Sequence, residues 1–155
     1  MAIRRTHFIT GKKDVAPTVN HMLSGFRKYF EGVLDEMMDA AEEAGHEILE
    51  NAIDFAPADT FALRESGKVY IDKRNKKDPR VEVAFGGTTP VIDKHSPDGV
   101  VDYAIEVHEN MEGQYRVGGP KYLLNGANAA MPRVREILMR GAKRGHKAGG
   151  RKVRG

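Results

Sequence analysis

Residues 17–57 read PTVNHMLSGFRKYFEGVLDEMMDAAEEAGHEILENAIDFAP. Met22, Phe26, Phe30, Val33, Met37, Ala41, Ala44, Ile48, Ala52 and Phe55 recur every three or four residues. The mean step is about 3.7 residues, close to the helical repeat. The other face holds Lys28, Glu31, Asp35, Asp39, Glu42, Glu43, Glu47 and Glu50. An apolar stripe backed by an acidic face predicts one amphipathic helix of about ten turns. Asp14 suits the N-cap, and Pro17 falls in the first turn, where a missing N–H costs nothing. Pro57 ends the helix, because the residue before a proline avoids the α region. Gly25, Gly32 and Gly45 each weaken a helix by roughly 1 kcal/mol relative to alanine, so a kink or break is expected, with Gly45 the favoured place.

Beyond Pro57 the pattern changes period. Residues 56–66, APADTFALRES, read as a short connection in which Asp59 and Thr60 cap a turn or begin a single helical turn. Val69 and Ile71 alternate with Lys68, Tyr70 and Asp72, and Val81, Val83 and Phe85 alternate with Arg80, Glu82 and Ala84. With a polar loop between them they predict an antiparallel hairpin buried on one face. Residues 86–99 read as a long surface loop. Val101, Tyr103, Ile105 and Val107 alternate and predict a third strand over about 100–108. A second loop, 109–119, precedes a helical pattern from about Lys121 to Ala142. Its stripe is Tyr122, Leu123, Ala127, Ala130, Val134, Ile137 and Leu138, and Pro132 is expected to divide it in two.

The expected fold class is therefore α+β. A long N-terminal amphipathic helix, a small antiparallel β-sheet of three or four strands and a C-terminal helix carry basic flexible ends. Residues 1–15 read as a basic arm, 16–142 as a single domain and 143–155 as a basic, glycine-rich tail. The tail has too little apolar surface to offset its ordering entropy.

A chain of 155 residues is enough for one domain with a core. The composition, 40% hydrophobic and 30% charged, is that of a polar globular protein. Cysteine is absent, which excludes a disulfide framework, a thiolate metal site and a cysteine nucleophile, and fits a reducing compartment. No apolar run reaches the roughly 18 residues of a membrane span. The early arginines have no apolar core behind them, so no secretory signal is expected, and no tract repeats at a fixed period. The net charge of +3 conceals a division. Arg4, Arg5, Lys12 and Lys13 give residues 1–13 a charge of +4. Arg140, Lys143, Arg144, Lys147, Arg151, Lys152 and Arg154 give residues 140–155 a charge of +7. Residues 14–139 then hold 14 bases against 22 acids, or −8.

The search for catalytic chemistry is mostly negative. None of the six histidines forms an i, i+4 pair, and Ser24, Ser66 and Ser96 lie outside any GxSxG turn. Gly11-Lys12-Lys13 lacks the upstream glycine and following hydroxyl of a P-loop. Asp93, His95, Asp98 and Asp102 are weak candidates for a divalent-ion site, and their simpler reading is a solvated loop whose acids set turns. Gly118-Gly119 reads as a hinge before a helix more readily than as an anion cradle. His108-Glu109, ending the third strand, reads as a polar strand end facing solvent or a neighbouring subunit more readily than as an acid–base couple. The basic tail admits three readings: a solubilising tail, a sequence-independent DNA contact, or a docking segment for an acidic protein surface.

Three ordered segments resemble a known family. Residues 56–67, APADTFALRESG, after a long amphipathic helix, resemble the APVDTGxLRxSI element of tailed-phage neck proteins. These are the small head–tail joining, tail-completion or minor capsid proteins of long-tailed phages. Residues 103–109, YAIEVHE, resemble the family's later YAxxVExG segment. Residues 120–127, PKYLLNGA, resemble its closing helix. The similarity spans about residues 20–140. The sequence departs from the family pattern at Phe61, where glycine is usual, and in the longer 86–99 loop.

The resemblance implies a non-enzymatic virion assembly protein without cofactor or metal. It implies a homo-oligomeric ring, of six or twelve copies, in the virion neck, made in the host cytoplasm. The implied neighbours are connector or head-closure, portal-adaptor, and tail-tube or tail-terminator proteins, with genomic DNA in the channel as a further candidate and no membrane. Asp59, Thr60, Arg64, Tyr103, His108, Glu109 and Tyr122 are the candidate inter-subunit or partner contacts. Arg4, Arg5, Lys143, Arg144, Lys147, Arg151, Lys152 and Arg154 are the candidate contacts to DNA or an acidic surface. The alternative function is an architectural nucleic-acid-binding protein that uses its basic termini.

Overall fold

The α1 helix occupies Lys12–Phe55 without a break. The computed structural model describes residues 12–58, 61–74, 79–92 and 94–154, with the side chains of 12–21 and 154 outside the description. After α1 come α2 (Ala62–Glu65), β1 (Lys68–Asp72), β2 (Arg80–Ala84), β3 (Gly87–Thr88), β4 (Val100–Val101), α3 (Ala104–Glu109) and α4 (Tyr122–Arg154). The fold class is α+β, with two small antiparallel two-stranded sheets between long N- and C-terminal helices. The chain divides into two compact units, one of Met37–Gly141 and one that joins the chain up to Glu36 with Ala142 onward.

In the Met37–Gly141 unit, β1 pairs with β2 from Lys68↔Ala84 to Asp72↔Arg80, the hairpin the alternation predicts. α1 is not broken at Gly45. A Cβ at Gly45 would lie 2.9 Å from Val81 Cγ1 and 3.0 Å from Val69 Cγ1. The glycine is where the hairpin's apolar face comes down onto the helix. The smallest side chain is required there because interiors pack without slack. Ala40 and Ala44 of α1 form one core cluster with Ala130, Val134 and Ile137 of α4. A second cluster gathers Ala56, Ala62, Leu63, Val101, Ala104 and Tyr122, with Phe85, Tyr103 and Val107 packed against it.

Two expectations are corrected in this unit. The third strand stops at Val101, and Ala104–Glu109 is helical. Burial explains why. Val101 and Ala104 are core residues and Val107 is half-buried, a three-residue step, whereas Ile105 is 79% exposed. The alternation of valine, tyrosine and isoleucine is a coincidence of large side chains, and Ala104 is the true anchor. The second correction concerns Pro132, which sits inside an unbroken α4. A proline in a helix interior costs about 3 kcal/mol. Here Ala130 and Val134, on either side of it, are both held in the core cluster with Ala40 and Ala44. The 86–99 loop is also less open than expected, since β3 pairs with β4 through Gly87↔Val101 and Thr88↔Val100.

In the other unit the segment expected as a flexible tail is helix through Arg154. Its glycines are the reason. Gly145 and Gly149, one helical turn apart, are buried. A Cβ at Gly145 would sit 3.1 Å from the Val33 Cα, and one at Gly149 would sit 2.6 Å from the Tyr29 carbonyl oxygen. Gly32 on α1 likewise leaves room for Gly149. The backbones of the two helices approach closely, and dispersion contacts along them offset the poor helix propensity of glycine. Ion pairs add to this, Arg144 with Glu36 and Lys152 with Asp35, each at 2.9 Å. The Tyr29 hydroxyl and His146 Nδ1 share a 2.7 Å hydrogen bond. Composition treats these glycines as helix breakers, whereas their spacing makes them a contact surface.

The stripe expected on α1 is also only partly buried. Met22, Phe26 and Phe30 are 56%, 56% and 63% exposed. In this unit α4 contacts the Tyr29–Gly32–Val33 side of α1 instead.

Adjacent glycines should respond with opposite sign. Nothing lies within 4 Å of a Cβ built at Gly150, whereas one at Gly149 meets Tyr29. Gly150→Ala should raise stability by about 0.5–1 kcal/mol through helix propensity. Gly149→Ala should lower it by about 1–3 kcal/mol through overpacking. Urea unfolding of the two variants checks both signs.

Candidate functional site

The first of the three resembling segments begins where α1 ends. Helix C-termini leave their last carbonyls without donors. Arg64 supplies them: its Nε donates to the Ala56 carbonyl at 3.0 Å, and its Nη2 to Ala56 at 2.7 Å and Asp54 at 3.3 Å. A guanidinium at a helix C-terminus is also favoured by the helix dipole. The Gly119 N–H donates to the Phe55 carbonyl at 3.0 Å. Gly118, at φ +75°, presses on the carbonyls of Phe55 and Ala56, where a side chain has no room. Gly118-Gly119 thus faces carbonyl oxygens, so it is not an anion cradle. Phe61 takes a right-handed conformation, φ −51° and ψ −9°, as N-cap of α2, so the chain does not need glycine there. Ser66, fully buried, donates to the Leu63 carbonyl at 2.6 Å and accepts from the Gly86 N–H at 2.9 Å, tying α2 to the turn after β2.

The second and third segments meet beside this cap. Tyr122 is 2% exposed, and its hydroxyl donates to the Ala104 carbonyl at 3.1 Å. Burial raises its pKa to about 12. His108 sets its ring edge against Tyr122 at 5.0 Å, and His108 Nδ1 bonds Glu109 Oε1 at 2.8 Å. The other Glu109 oxygen accepts from Lys121 Nζ. The Lys121 hydrogen bond, then that of His108, holds the Glu109 carboxyl below the usual glutamate range. Lys121 has a left-handed backbone, φ +54°, kept in place by its N–H bond to the His108 carbonyl at 2.8 Å. Beside these residues lies a cavity of about 270 Å³ lined by Val83, Phe85, Ala104, Ile105 and Leu123 among others. The grouping has an acceptor, a base and a cation but no activated nucleophile, since its only hydroxyl is engaged and held protonated. Chemically it is a latch between α3 and the start of α4.

The candidate contact residues therefore separate. Arg64 and Tyr122 turn inward as cap and core. Tyr103 is half-buried against the same core, and the exposed Glu109 sits beside the cavity with His108. Asp59 and Thr60 lie outside the described residues, as do Arg4, Arg5 and Asp93. Of the C-terminal cations, Arg144 and Lys152 pair with α1 acids, while Lys143, Lys147 and Arg151 are exposed on α4 at four-residue spacing. Arg140, in the Met37–Gly141 unit, pairs with Glu43. Asp98 accepts from the Val100 N–H at 3.1 Å, the turn-setting role expected of a loop acid. Among the described residues no three His, Asp or Glu side chains are grouped to hold a metal ion. No helix of the described residues is long and apolar enough to cross a membrane.

Sequence reasoning missed Lys121 and the capping role of Gly118-Gly119. The only signal was the placement of that pair just before a helix. Set against protein-family models, curated proteins and solved structures, the chain finds no match.

Replacing Arg64 by methionine should cost about 1.5–3 kcal/mol, and lysine should not restore it, because one ammonium cannot span both carbonyls. Thermal and urea unfolding measure this. The depressed Glu109 pKa makes its contribution to stability present at neutral pH and lost as pH falls through the folded-state value. Carboxyl NMR titration should show Glu109 with a low midpoint that rises in Lys121→Met.

Proposed function

We propose that this chain is a structural protein of a tailed-phage virion, forming a ring in the neck that joins portal and head to tail. One observation carries the reading. The three segments that resemble neck proteins, far apart in sequence, converge on one core: Ala56 and Leu63 from the first, Ala104 from the second and Tyr122 from the third. The residues of the resemblance thus do related work, capping α1 and locking α2, α3 and α4 around its end. In this reading the chain is made in the host cytoplasm and incorporated into the virion. It contacts its own copies, connector or head-closure proteins, portal adaptor, and tail-tube or tail-terminator proteins.

Native mass spectrometry of the purified chain and imaging of virions test the proposal. A closed oligomer, sensitive to ionic strength and present at the head–tail junction, is expected. A chain that stays monomeric and is absent from the neck overturns it. A second reading, sequence-independent DNA binding, is favoured by the exposed Lys143, Lys147 and Arg151 on one stretch of α4. The salt dependence of duplex binding separates the two. If these residues contact phosphates, reversing all three should flatten the slope of log K against log salt by about three.

A further inference from the structure

The two long helices carry opposite charge, and the signs are not mixed along them. Residues 29–63 hold ten acids and no lysine or arginine, and residues 137–155 hold seven lysines and arginines and no acid. Part of this charge is matched within the chain. Arg140 pairs with Glu43, Arg144 with Glu36 and Lys152 with Asp35, each a cation of α4 against a carboxylate of α1.

The rest of the charge faces outward. On α1, Asp39, His46 and Glu50 are exposed and fall within about 40° of arc, at about 100° per residue. Ala44, which packs on α4, and Gly45, which receives the hairpin, lie about 120–140° away on either side. Glu42 and Asp54 border this strip. On α4, Lys143, Lys147 and Arg151 are exposed and cover about 80° of arc. Gly145 and Gly149, which touch α1, lie about 160° from its middle. None of these carboxylates and cations has an ion-pair partner among the described residues. The one acid on the outer side of α4, Glu136, is held by Arg133.

We propose that the acidic outer strip of α1 in one copy docks on the cationic outer strip of α4 in a second copy. The chemistry is the one the chain already uses inside itself, cations of α4 against carboxylates of α1. The lengths suit. Asp39 to Asp54 spans about 22 Å of helix and Lys143 to Arg151 about 12 Å, so all three cations fall over carboxylates. Two acidic strips, or two cationic ones, would oppose like charges, so neither strip pairs with its own counterpart. Exposed ion pairs are individually weak, so the contact draws on several at once and weakens as salt rises. A contact between unlike surfaces leaves each copy a strip for a further neighbour, and the assembly closes into a ring if the rotation permits. The inference deepens the ring reading by naming the surfaces in contact, and rests on it only for closure.

The full chain tests it in sedimentation velocity, with circular dichroism confirming that helix content is kept. Wild type should associate at low salt and dissociate as salt is raised to about 0.5 M. Asp39→Lys/Glu42→Lys/Glu50→Lys should weaken association about tenfold or more, and so should Lys143→Glu/Lys147→Glu/Arg151→Glu. Mixing the two variants is the decisive step. Each alone carries strips of one sign, but together every strip meets its opposite, so the mixture should associate as wild type does. The proposal is overturned if wild type is monomeric at low salt, if either variant alone associates as wild type does, or if the mixture stays dissociated. It is also overturned if the α4 variant loses binding to duplex DNA while its association is unchanged, which makes a phosphate backbone the occupant of that strip. The neck reading fails separately. Association that obeys the charge exchange, in a chain absent from virions, keeps this contact and rejects the neck. A neck ring built equally well from either variant alone does the reverse.

Discussion

The carbonyls that end α1 set the arrangement of the elements around them. Pro57 forbids the helix to continue, and Ala56 is fully buried, so its carbonyl must find a protein donor, and the carbonyls of Asp54 and Phe55 find donors beside it. They find them in two places distant in sequence. Arg64 reaches back from α2, and Gly119 reaches across from the segment before α4. The cap therefore fixes α2 and the start of α4 against the same helix end. The latch of His108, Glu109 and Lys121 then ties α3 to that start. A polar necessity at one helix terminus is the organising constraint of the Met37–Gly141 unit, and its apolar core is assembled around it.

Small residues govern the rest of the packing. Gly45 admits the hairpin, Gly126 lies against the Ala52 backbone, and Gly145 and Gly149 lie against Val33 and Tyr29. The large apolar side chains of α1 have a different distribution. Several stay at the surface, and they are concentrated in the part of α1 before Glu36. In that part the intramolecular seam is made by backbone, tyrosine and valine, which leaves the phenylalanines uncovered.

Legibility in the sequence tracks the strength of the local signal. The ten-residue apolar repeat of α1 and the two alternating runs of the hairpin are long and unambiguous, and both elements form, although α1 begins at Lys12, ahead of the Asp14 expected to cap it. Ala104–Glu109 reads as strand because Ile105 is large and exposed while Ala104 is small and buried, and periodicity weighs size. The C-terminal helix beyond Ala142 is hidden because glycine counts as a breaker unless its partner is known. The candidate site is half legible. Its residues come from the resemblance, but whether Arg64 and Tyr122 point outward or inward depends on α1's terminal carbonyls and on Ala104, long-range contacts that spacing along the chain does not encode.

The glycine seam has a consequence for the order in which the molecule acquires structure. Asp35 and Tyr29 meet Lys152 and His146, each pair 117 positions apart in sequence. Contacts of such separation form late, because a long loop must close before they repay its entropy. During synthesis the first half of α1 therefore waits for residues 142–154 to leave the ribosome before its intramolecular partner exists. The Met37–Gly141 unit has all of its residues available earlier, so the chain completes one compact body while the other is still unpaired.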